Sequence, residues 1–376
     1  MPGQNLGPMS SPGKPSPNGG RLLRVVAMGG GTGLATLLKG LKHYVAAPAG
    51  SGAASHPAVI SELSAVVTVT DDGGSSGRLR KDLKVLPPGD IRNCIVALSE
   101  DEALLSRLFQ YRFPAKSALE GHSFGNLFVT ALAAVTGDFA EAVKLSSEVL
   151  ATRGHIFPST TANVQLEASM KDGRRVRGET RITASHGGIK RLRLVPATAR
   201  PLPQTVDAIR RASLITIGPG SLFTSLVPNL LVEGIAEAIA ASPAVKVFVC
   251  NLMTQKNESL GLSAADHVGA IYDHARHPIF DYALVNTRPV SRELKAKYAR
   301  EGASQMVCDS KKIEALGVRV IQGDYLEEAG AARHATERVA QELVALALGT
   351  HPAQSPAASR QGQDLNAMAR HAHTAD

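Results

Sequence analysis

Val25-Val26-Ala27-Met28-Gly29-Gly30-Gly31-Thr32-Gly33 is the segment from which the architecture of this chain follows. A short apolar run leads into a glycine turn, and Leu34, Leu37, Leu38 and Leu41 follow at helical spacing. A strand, a glycine turn and a helix form a phosphate cradle, because glycine lets the backbone approach an anion and a helix N-terminus presents unpaired N–H groups. The alternative is a tight turn with a purely structural role.

This glycine turn departs from two common nucleotide-binding patterns. Thr36 stands where the dinucleotide pattern G-x-G-x-x-G places its third glycine or alanine, and no acidic residue follows about twenty positions later. The Gly-Lys-Ser/Thr of a P-loop is also missing. These departures argue against a nicotinamide-dependent dehydrogenase, and they leave a nucleotide or a sugar-phosphate as the predicted anion.

The 376-residue chain has a formal net charge of +8, most of which lies between the two termini. This balance suits an anionic small ligand. The basic residues are scattered and tryptophan is absent, so we expect no nucleic-acid partner. The densest basic group, Arg174, Arg175, Arg177 and Arg181, falls on a predicted hairpin and is expected to be a solvated face.

Cysteine usage and the first residues predict a cytoplasmic protein. Cys94, Cys250 and Cys308 lie far apart without a C-x-x-C pattern, so we expect buried, reduced thiols. The first twenty residues lack the apolar segment of a signal peptide, and no apolar run reaches membrane-spanning length. We therefore expect no membrane insertion.

Composition predicts disordered tails at residues 1–20 and 350–376, a surface loop at residues 46–57 and a single α/β domain at residues 21–349. Strand-like and helix-like segments alternate, which predicts a Rossmann-like, mainly parallel sheet with flanking helices. The clearest strands are 24–28, 64–70, 214–217, 245–250 and 282–285. Helical patterns fit residues 34–43, 91–98, 102–110, 127–136, 139–150, 230–241, 264–274, 292–300 and 331–348.

Residues 158–195 interrupt this alternation. Segments 163–170 and 174–182 alternate in polarity around Lys171-Asp172-Gly173, which is a hairpin turn signal. The pattern predicts an antiparallel hairpin excursion from the parallel sheet.

Polar residues follow the second predicted strand, where an open α/β sheet collects its ligands. The loop reads Thr70-Asp71-Asp72-Gly73-Gly74-Ser75-Ser76-Gly77-Arg78. Two carboxylates there can hold sugar hydroxyls, bind Mg²⁺ or activate a hydroxyl nucleophile. The alternative is an Asx-capped turn.

Two further helix entrances carry candidate residues. Asp90 is predicted to cap the helix at 91–98, and Arg92 either faces the ligand with its neighbour Asn93 or has a structural role. Ser123 and Asn126 either cap the following helix or contact the ligand. His122 has no adjacent partner in the sequence and is expected to be structural.

The strand at 214–217 leads into Gly218-Pro219-Gly220-Ser221-Leu222 and repeats the opening arrangement. A second cradle would let a diphosphate lie between the two glycine turns, with Ser221 as a helix cap. A second structural turn is the alternative. Asn251-Leu252-Met253-Thr254-Gln255 follows the next strand and supplies amides for a base or a sugar.

The motifs at 29–33, 70–77, 87–90, 218–221 and 251–255 together closely resemble the bacterial gluconeogenesis factor family, which is related to the 2-phospho-L-lactate transferases (CofD-like). The resemblance covers roughly residues 22–348. It implies a Rossmann-like fold and a cytoplasmic protein needed for normal cell shape on gluconeogenic carbon sources. It also implies binding of UDP-sugars, particularly UDP-N-acetylglucosamine, with no required cofactor.

The resemblance further implies site residues near the C-terminus. The family's tyrosine falls on Tyr298 and its arginine on Arg333, and Thr336 closes the same motif. A tyrosine can stack on a nucleotide and an arginine can clamp a diphosphate, whereas the charged face of a surface helix is the alternative. A Ser/Thr kinase acting at Thr336 would place a phosphate close to Arg333.

The predicted ligand-binding residues are Gly29, Gly30, Gly31, Thr32, Gly33, Asp71, Asp72, Asn126, Gly218, Gly220, Ser221, Asn251, Tyr298 and Arg333. The main hypothesis is a regulatory protein that binds a UDP-sugar without turnover. The rival hypothesis is a transferase that moves a phosphoryl-linked group from a nucleotide donor, with Mg²⁺ on Asp71 or Asp72. The sequence leaves open a homo-oligomer and a downstream partner.

Overall fold

The computed structural model describes residues 22–46, 57–100 and 104–352. Its strands are β1 (Leu23–Gly29), β2 (Ile60–Val67), β3 (His155–Pro158), β4 (Gln165–Met170), β5 (Arg175–Arg177), β6 (Ile189–Val195), β7 (Leu214–Ile217), β8 (Val245–Val249), β9 (Tyr282–Asn286), β10 (Arg319–Gly323), β11 (Leu326–Glu328) and β12 (Ala332–His334). The predicted tails, apart from residues 350–352, and most of the predicted loop at 46–57 lie outside the described residues.

Helices connect most of these strands. They are α1 (Gly31–Lys42), α2 (Gly74–Leu83), α3 (Gly89–Leu98), α4 (Leu104–Gln110), α5 (Phe124–Thr136), α6 (Phe139–Val149), α7 (Glu179–Ala184), α8 (Pro203–Arg211), α9 (Val227–Leu230), α10 (Ile235–Ala241), α11 (Ala264–Ala275), α12 (Arg292–Arg300), α13 (Ser310–Ala315) and α14 (Thr336–Leu348). A π-helical turn, Leu222–Leu226, precedes α9.

The central sheet has seven strands in the order β10-β9-β8-β7-β1-β2-β3. Every neighbouring pair in it is parallel, which confirms the predicted α/β fold. The chain leaves β1 toward β2 on one side, and β7 pairs with β1 on the other side. The switch point of the topology therefore lies between β1 and β7, where open α/β sheets bind their ligands.

Both faces of the sheet are buried, as β1 shows. Val25 and Ala27 belong to one apolar cluster with Leu34 and Leu38 of α1. Val26 and Met28 point to the opposite face and join a second cluster that includes residues of α8, α10 and α11. Because successive side chains of a strand alternate between faces, an apolar run is what a doubly covered strand requires.

The predicted antiparallel excursion is present as a three-stranded sheet in the order β5-β4-β6. The second strand was predicted at residues 174–182, but it ends at Arg177, so the prediction is wrong beyond that residue. Gly178 has a φ of +96°, and α7 starts at Glu179. A glycine in the left-handed region ends the strand, because a β-strand needs a negative φ.

Two predicted helices are also wrong in part. The helix at 230–241 is divided into α9 and α10 by a turn in which Gly234 has a φ of +90°. The final helix begins at Thr336 rather than 331, because residues 332–334 form β12 and pair with β11. The sequence did not predict α2, α8, α13 or the edge strands β3 and β10, which are short or mixed in polarity.

Within the described part of the chain, no single helix has the length and apolarity to cross a membrane. One pair, Leu222–Leu230 and Ile235–Ala241, reaches that length and composition only together and is bent by 76°.

Candidate functional site

A cavity of about 630 Å³ lies at the switch point, where β1 and β7 end. Residues from seven separate stretches of the chain, together with Asp71 of the loop at residues 70–78 (the acidic loop), form its wall. The lining residues are Gly30, Gly31, Thr32, Gly33, Thr36, Asp71, Asp90, Glu179, Pro219, Gly220, Ser221, Thr224, Ser225, Asn251, Leu252, Met253, Thr254, Gln255, Tyr298, Ala331, Ala332, Arg333 and His334.

The glycine turn after β1 opens the N-terminus of α1 into this cavity. Gly30 precedes the helix and no side chain caps it. Gly31 has a φ of +61°, which glycine adopts without strain. The N–H groups of the first helical turn have no intrahelical acceptors, and the positive end of the helix dipole adds to them. The predicted cradle therefore faces the cavity.

Gly33 brings the two glycine turns into contact. A Cβ atom on Gly33 would lie 2.3 Å from the backbone oxygen of Pro219. Only glycine allows this approach, so the turn after β7 forms the opposite wall of the cradle.

In the first turn Asp90 binds the N–H of Gly31, whereas in the turn after β7 the protein binds several N–H groups. Gly220 N–H donates to Asn251 Oδ1 (3.0 Å), and Asn251 Nδ2 donates back to Gly220 O (2.8 Å). The N–H groups of Phe223 and Thr224 donate to Glu258 Oε1 at 2.7 and 3.0 Å. Burial raises the pKa of Glu258, and these N–H groups act in the opposite direction. The second turn thus shapes the wall instead of offering a second free cradle.

Ser221 does not cap the following helix with its side chain, contrary to the prediction. Its hydroxyl accepts a hydrogen bond from Gln255 Nε2 at 2.9 Å, and both residues line the cavity. Since Glu258 occupies the helix entrance, the Ser221 hydroxyl is turned to another neighbour.

Three carboxyl groups, those of Asp71, Asp90 and Glu179, form an acidic end of the cavity. Burial raises the pKa of Asp90 to about 7, with a further increase from Asp71, whereas the Gly31 N–H and Arg92 lower it. Burial, Asp71 and Asp90 hold the pKa of Glu179 well above its usual value, and the Thr70 hydroxyl donates to it at 3.2 Å. Protonated Asp90 and Glu179 would repel an anionic ligand less than their ionised forms would.

The prediction that Asp90 caps α3 is wrong. Pro88 occupies the cap position, and Asp90 lies in the first turn with its carboxyl group bound to the Gly31 N–H. A Cβ on Gly30 would lie 2.7 Å from Asp90 Oδ2, so the carboxyl group lies directly against the glycine turn.

The two aspartates of the acidic loop have different partners. Asp71 Oδ1 accepts a hydrogen bond from the Gly73 N–H (2.8 Å), which forms the Asx turn that was the alternative prediction. Asp71 also lines the cavity. Asp72 does not line the cavity, because its Oδ1 accepts from the N–H (2.8 Å) and the hydroxyl (2.6 Å) of Thr180. Asp72 therefore ties the loop to α7. We call α7 and the three-stranded sheet β5-β4-β6 the antiparallel module.

Gly29, Gly218 and Asn126 also lie outside the cavity wall. The backbone oxygen of Gly29 accepts from Asn229 Nδ2 (3.1 Å), and a Cβ on Gly218 would lie 2.6 Å from Val249 O. Gly218 therefore serves close backbone packing. Asn126 is 2% exposed in the first turn of α5, away from the wall.

Ser123, His122, Arg92 and Asn93 have structural positions. The Ser123 hydroxyl caps α5 by accepting from the Asn126 N–H at 3.2 Å, as predicted for one of its two roles. His122 Nδ1 lies 3.0 Å from Ser75 Oγ, a partner that the sequence around His122 does not reveal. Arg92 is buried and Asn93 is half-buried in α3, and neither lines the cavity.

Tyr298 and Arg333, the two residues that the resemblance assigns to the site, both line the cavity. Arg333 lies on β12 and is exposed, and its guanidinium group has no hydrogen bond or ion pair within the described ranges. Its neighbours Arg288 and Arg338 differ, because both lie against Asp324 at 3.4 and 2.6 Å. The Arg333 guanidinium is thus available to an anion in the cavity.

His334 adds a neutral donor or acceptor beside Arg333. Its Nε2 lies 3.0 Å from Cys250 O, and burial lowers its pKa to about 4. The three cysteines are free, with Cys94 and Cys250 buried and Cys308 half-buried.

Known proteins share most of this chain. The family model for 2-phospho-L-lactate transferase CofD matches residues 25–326. The gluconeogenesis factor of Bacillus subtilis is 45% identical over 328 residues, which cover 87% of this chain and 99% of that protein. The gluconeogenesis factor of Halalkalibacterium halodurans is 46% identical over 322 residues, or 85% and 95% of the two chains. The chain belongs to the gluconeogenesis factor family.

A solved structure shows the same fold in this family. The crystal structure of a UPF0052 family protein from Bacillus halodurans has a TM-score of 0.80 and 45% identity, covering 86% of this chain and 99% of that one. The predicted resemblance and α/β class are therefore confirmed.

Four residues that line the cavity were not predicted from the sequence: Glu179, Thr224, Ser225 and His334. Glu179 lies 109 positions from Thr70 in sequence and reaches the site only through the antiparallel module. His334 follows the predicted Arg333 directly, so its proximity was the one available signal.

Proposed function

We propose that this chain is a cytoplasmic regulatory protein that binds a UDP-sugar, particularly UDP-N-acetylglucosamine, and that is required for cell morphogenesis on gluconeogenic carbon sources. The observation that carries the proposal is that the first turn of α1 lines the same cavity as Arg333, whose side chain has no partner in the described structure. A volume of about 630 Å³ suits a small organic ligand.

The charges of the wall favour one orientation of such a ligand. The diphosphate would lie against the N–H groups of Thr32 and Gly33 and accept hydrogen bonds from Arg333. Sugar hydroxyls would donate to the carboxyl groups of the acidic end, Asp71 among them. The base would lie near the ring of Tyr298, where aromatic contact is available.

Titration calorimetry with UDP-N-acetylglucosamine, a GDP-sugar and NAD tests the proposal. We expect the UDP-sugar to bind most tightly and Gly31→Val to abolish that binding in a folded protein. A branched side chain at Gly31 costs about 1–2 kcal/mol of backbone strain and fills the phosphate position. Gly137→Val is the matched control, since Gly137 also has a positive φ (+69°) but lies at the end of α5, outside the cavity wall.

The transferase is the second candidate, favoured by the family model and by the carboxyl groups at the acidic end. The donor set does not fit Mg²⁺ on Asp72, because that carboxylate binds Thr180. In the described residues no group of three or more His, Cys, Asp or Glu is arranged to hold a metal ion. Incubation with UDP-sugars should release no UMP. Steady release would replace the regulatory proposal with the transferase.

A further inference from the structure

The outward face of the antiparallel module is strongly basic. Side chains at alternate positions of its strands point outward, since their neighbours Leu166, Ala168, Val176, Leu192 and Leu194 are buried. We call this surface the arginine face; it consists of Gln165, Glu167 and Ser169 of β4, Arg175 and Arg177 of β5, and Arg191, Arg193 and Val195 of β6.

The strand register arranges these arginines in two rows. In the first row Glu167 of β4 stands between Arg177 and Arg193. Arg193 holds the Glu167 carboxylate with Nε at 2.8 Å and Nη2 at 2.6 Å. This row shows how a carboxylate is held on the face.

The second row has the same layout without its carboxylate. Ser169 of β4 stands between Arg175 and Arg191. Cβ atoms of residues directly opposite in neighbouring strands are about 4.5–5.5 Å apart, so both guanidinium groups reach the space above Ser169. Arg175 and Arg191 are exposed, and neither guanidinium group has a hydrogen bond or ion pair to any residue that the structure describes.

The electrostatic potential of the arginine face favours the binding of a negatively charged group. The hydrogen bond from Arg193 lowers the pKa of Glu167, and the charges of Arg177 and Arg175 lower it further. A groove of about 480 Å³ beyond β5 is lined by Arg174, Arg175 and Arg181. Arg174 is paired with Asp172 at 2.7 Å, so Arg175 and Arg181 supply the net positive charge of the groove. The positively charged surface therefore extends further than a single carboxylate requires, and it suits an extended anionic segment.

We propose that the arginine face docks an acidic peptide segment of a partner protein, with one carboxylate seated between Arg175 and Arg191 above Ser169. Arginine presents a planar fork that matches a carboxylate, as the Glu167 contact shows. None of these residues lines the cavity.

The composition of the face favours a peptide over other polyanions. None of its side chains is aromatic, whereas single-stranded nucleic acid is usually held by stacking on aromatic rings. The face also presents no large exposed apolar side chain that would enter a lipid surface.

Fluorescence anisotropy of a labelled peptide of alternating Glu and Ser tests this proposal on the full chain. We expect binding that weakens with salt and that is lost when the peptide carries Gln in place of Glu. Arg175→Gln with Arg191→Gln should weaken binding at least about tenfold. Arg107→Gln with Arg210→Gln removes the same charge from exposed positions elsewhere and should leave binding unchanged.

Ser169→Glu gives the sharper test, because it supplies the missing carboxylate within the chain. We expect it to abolish peptide binding while the melting temperature stays equal or rises, and Ser169→Gln to bind as the wild type does. Wild-type peptide affinity in Ser169→Glu would overturn the proposal. So would equal binding of the Gln peptide, or tighter binding of single-stranded DNA or phosphatidylserine vesicles to this face.

Discussion

The hydroxyl of Tyr298 accepts a hydrogen bond from the backbone N–H of Ala332 at 3.2 Å. This contact joins α12 to the β11–β12 hairpin, on which Arg333 is the next residue. Tyr298 also packs with Leu326 and Met253 in a small apolar cluster beneath the hairpin. The tyrosine therefore positions the arginine as well as lining the cavity.

Tyr298→Phe should separate these two roles. It keeps the ring but leaves the Ala332 N–H without its partner, so we expect UDP-sugar binding to weaken several-fold and amide exchange in 326–334 to accelerate. Tyr298→Ala should weaken binding further. Tyr272→Phe is the control, because Tyr272 accepts a similar bond from Phe280 N–H (3.3 Å) away from the cavity. Unchanged exchange and affinity in Tyr298→Phe would show that the hydroxyl has no positioning role.

Arg333→Ala should weaken UDP-sugar binding by about 1.5–3 kcal/mol, the usual range for a hydrogen bond to a charged group. The melting temperature should not change, since the structure gives the Arg333 guanidinium group no protein partner in the described ranges. Arg300→Ala removes an exposed arginine from the end of α12 and should have no effect. Calorimetry measures both, and a wild-type dissociation constant for Arg333→Ala would exclude a diphosphate contact.

Gly33→Ala should lower the free energy of unfolding by about 1–3 kcal/mol, the usual result of overpacking. The new Cβ would lie 2.3 Å from Pro219 O and push the two glycine turns apart. Gly269→Ala in α11 is the opposite control, since no atom lies within 4 Å of its Cβ. It should stabilise the protein by up to about 1 kcal/mol through helix propensity. Urea unfolding compares the two; equal stabilities would contradict the tight contact.

Asp90→Asn should flatten the pH dependence of stability. The pKa of Asp90 is about 7 in the folded chain and 3.8 ordinarily, so the folded chain binds more protons between these values. Its stabilising contribution is therefore largest below the ordinary pKa and is lost as the pH rises through 7. Urea unfolding across this range measures the slope.

Asp90→Asn should also remove the pH dependence of UDP-sugar binding. In the wild type we expect affinity to rise as the pH falls, because an ionised carboxylate beside the Gly31 N–H repels a diphosphate. Asp82→Asn, an exposed aspartate of α2, should leave both profiles unchanged. Identical slopes for Asp90→Asn and the wild type would contradict the raised pKa.

Thr336→Glu should lower UDP-sugar affinity several-fold, whereas Thr336→Ala and Thr336→Gln stay near the wild type. Thr336 is half-buried at the start of α14, and its backbone oxygen would lie 2.6 Å from a Cβ on Gly40 of α1. A negative charge there competes for Arg333 and lies beside the helix that carries the cradle, as phosphorylation by a kinase would. Equal affinities for the three variants would exclude this coupling.

The strand and turn patterns predicted the centre of the molecule closely. The bounds of β7 and α12 agree with the predicted segments, and β1 differs by one residue at each end. Short apolar runs and glycine turns can be recognised from the local sequence alone, without knowing which segments pack beside them. The edge strands β3 and β10 lack such a signal, and pairing with β2 and β9 makes them strands.

The sequence by itself determined the glycine turn and the mainly parallel sheet, because these depend on apolar periodicity and on residues that tolerate close backbone contact. Only the tertiary structure decided which polar groups remain free. Asp72 is bound to Thr180 and the second glycine turn to Asn251 and Glu258, whereas Arg333 is left open to the cavity. Hydrogen bonds between residues far apart in sequence leave no local pattern, so the choice between a bound and a free side chain appears only when the chain is folded.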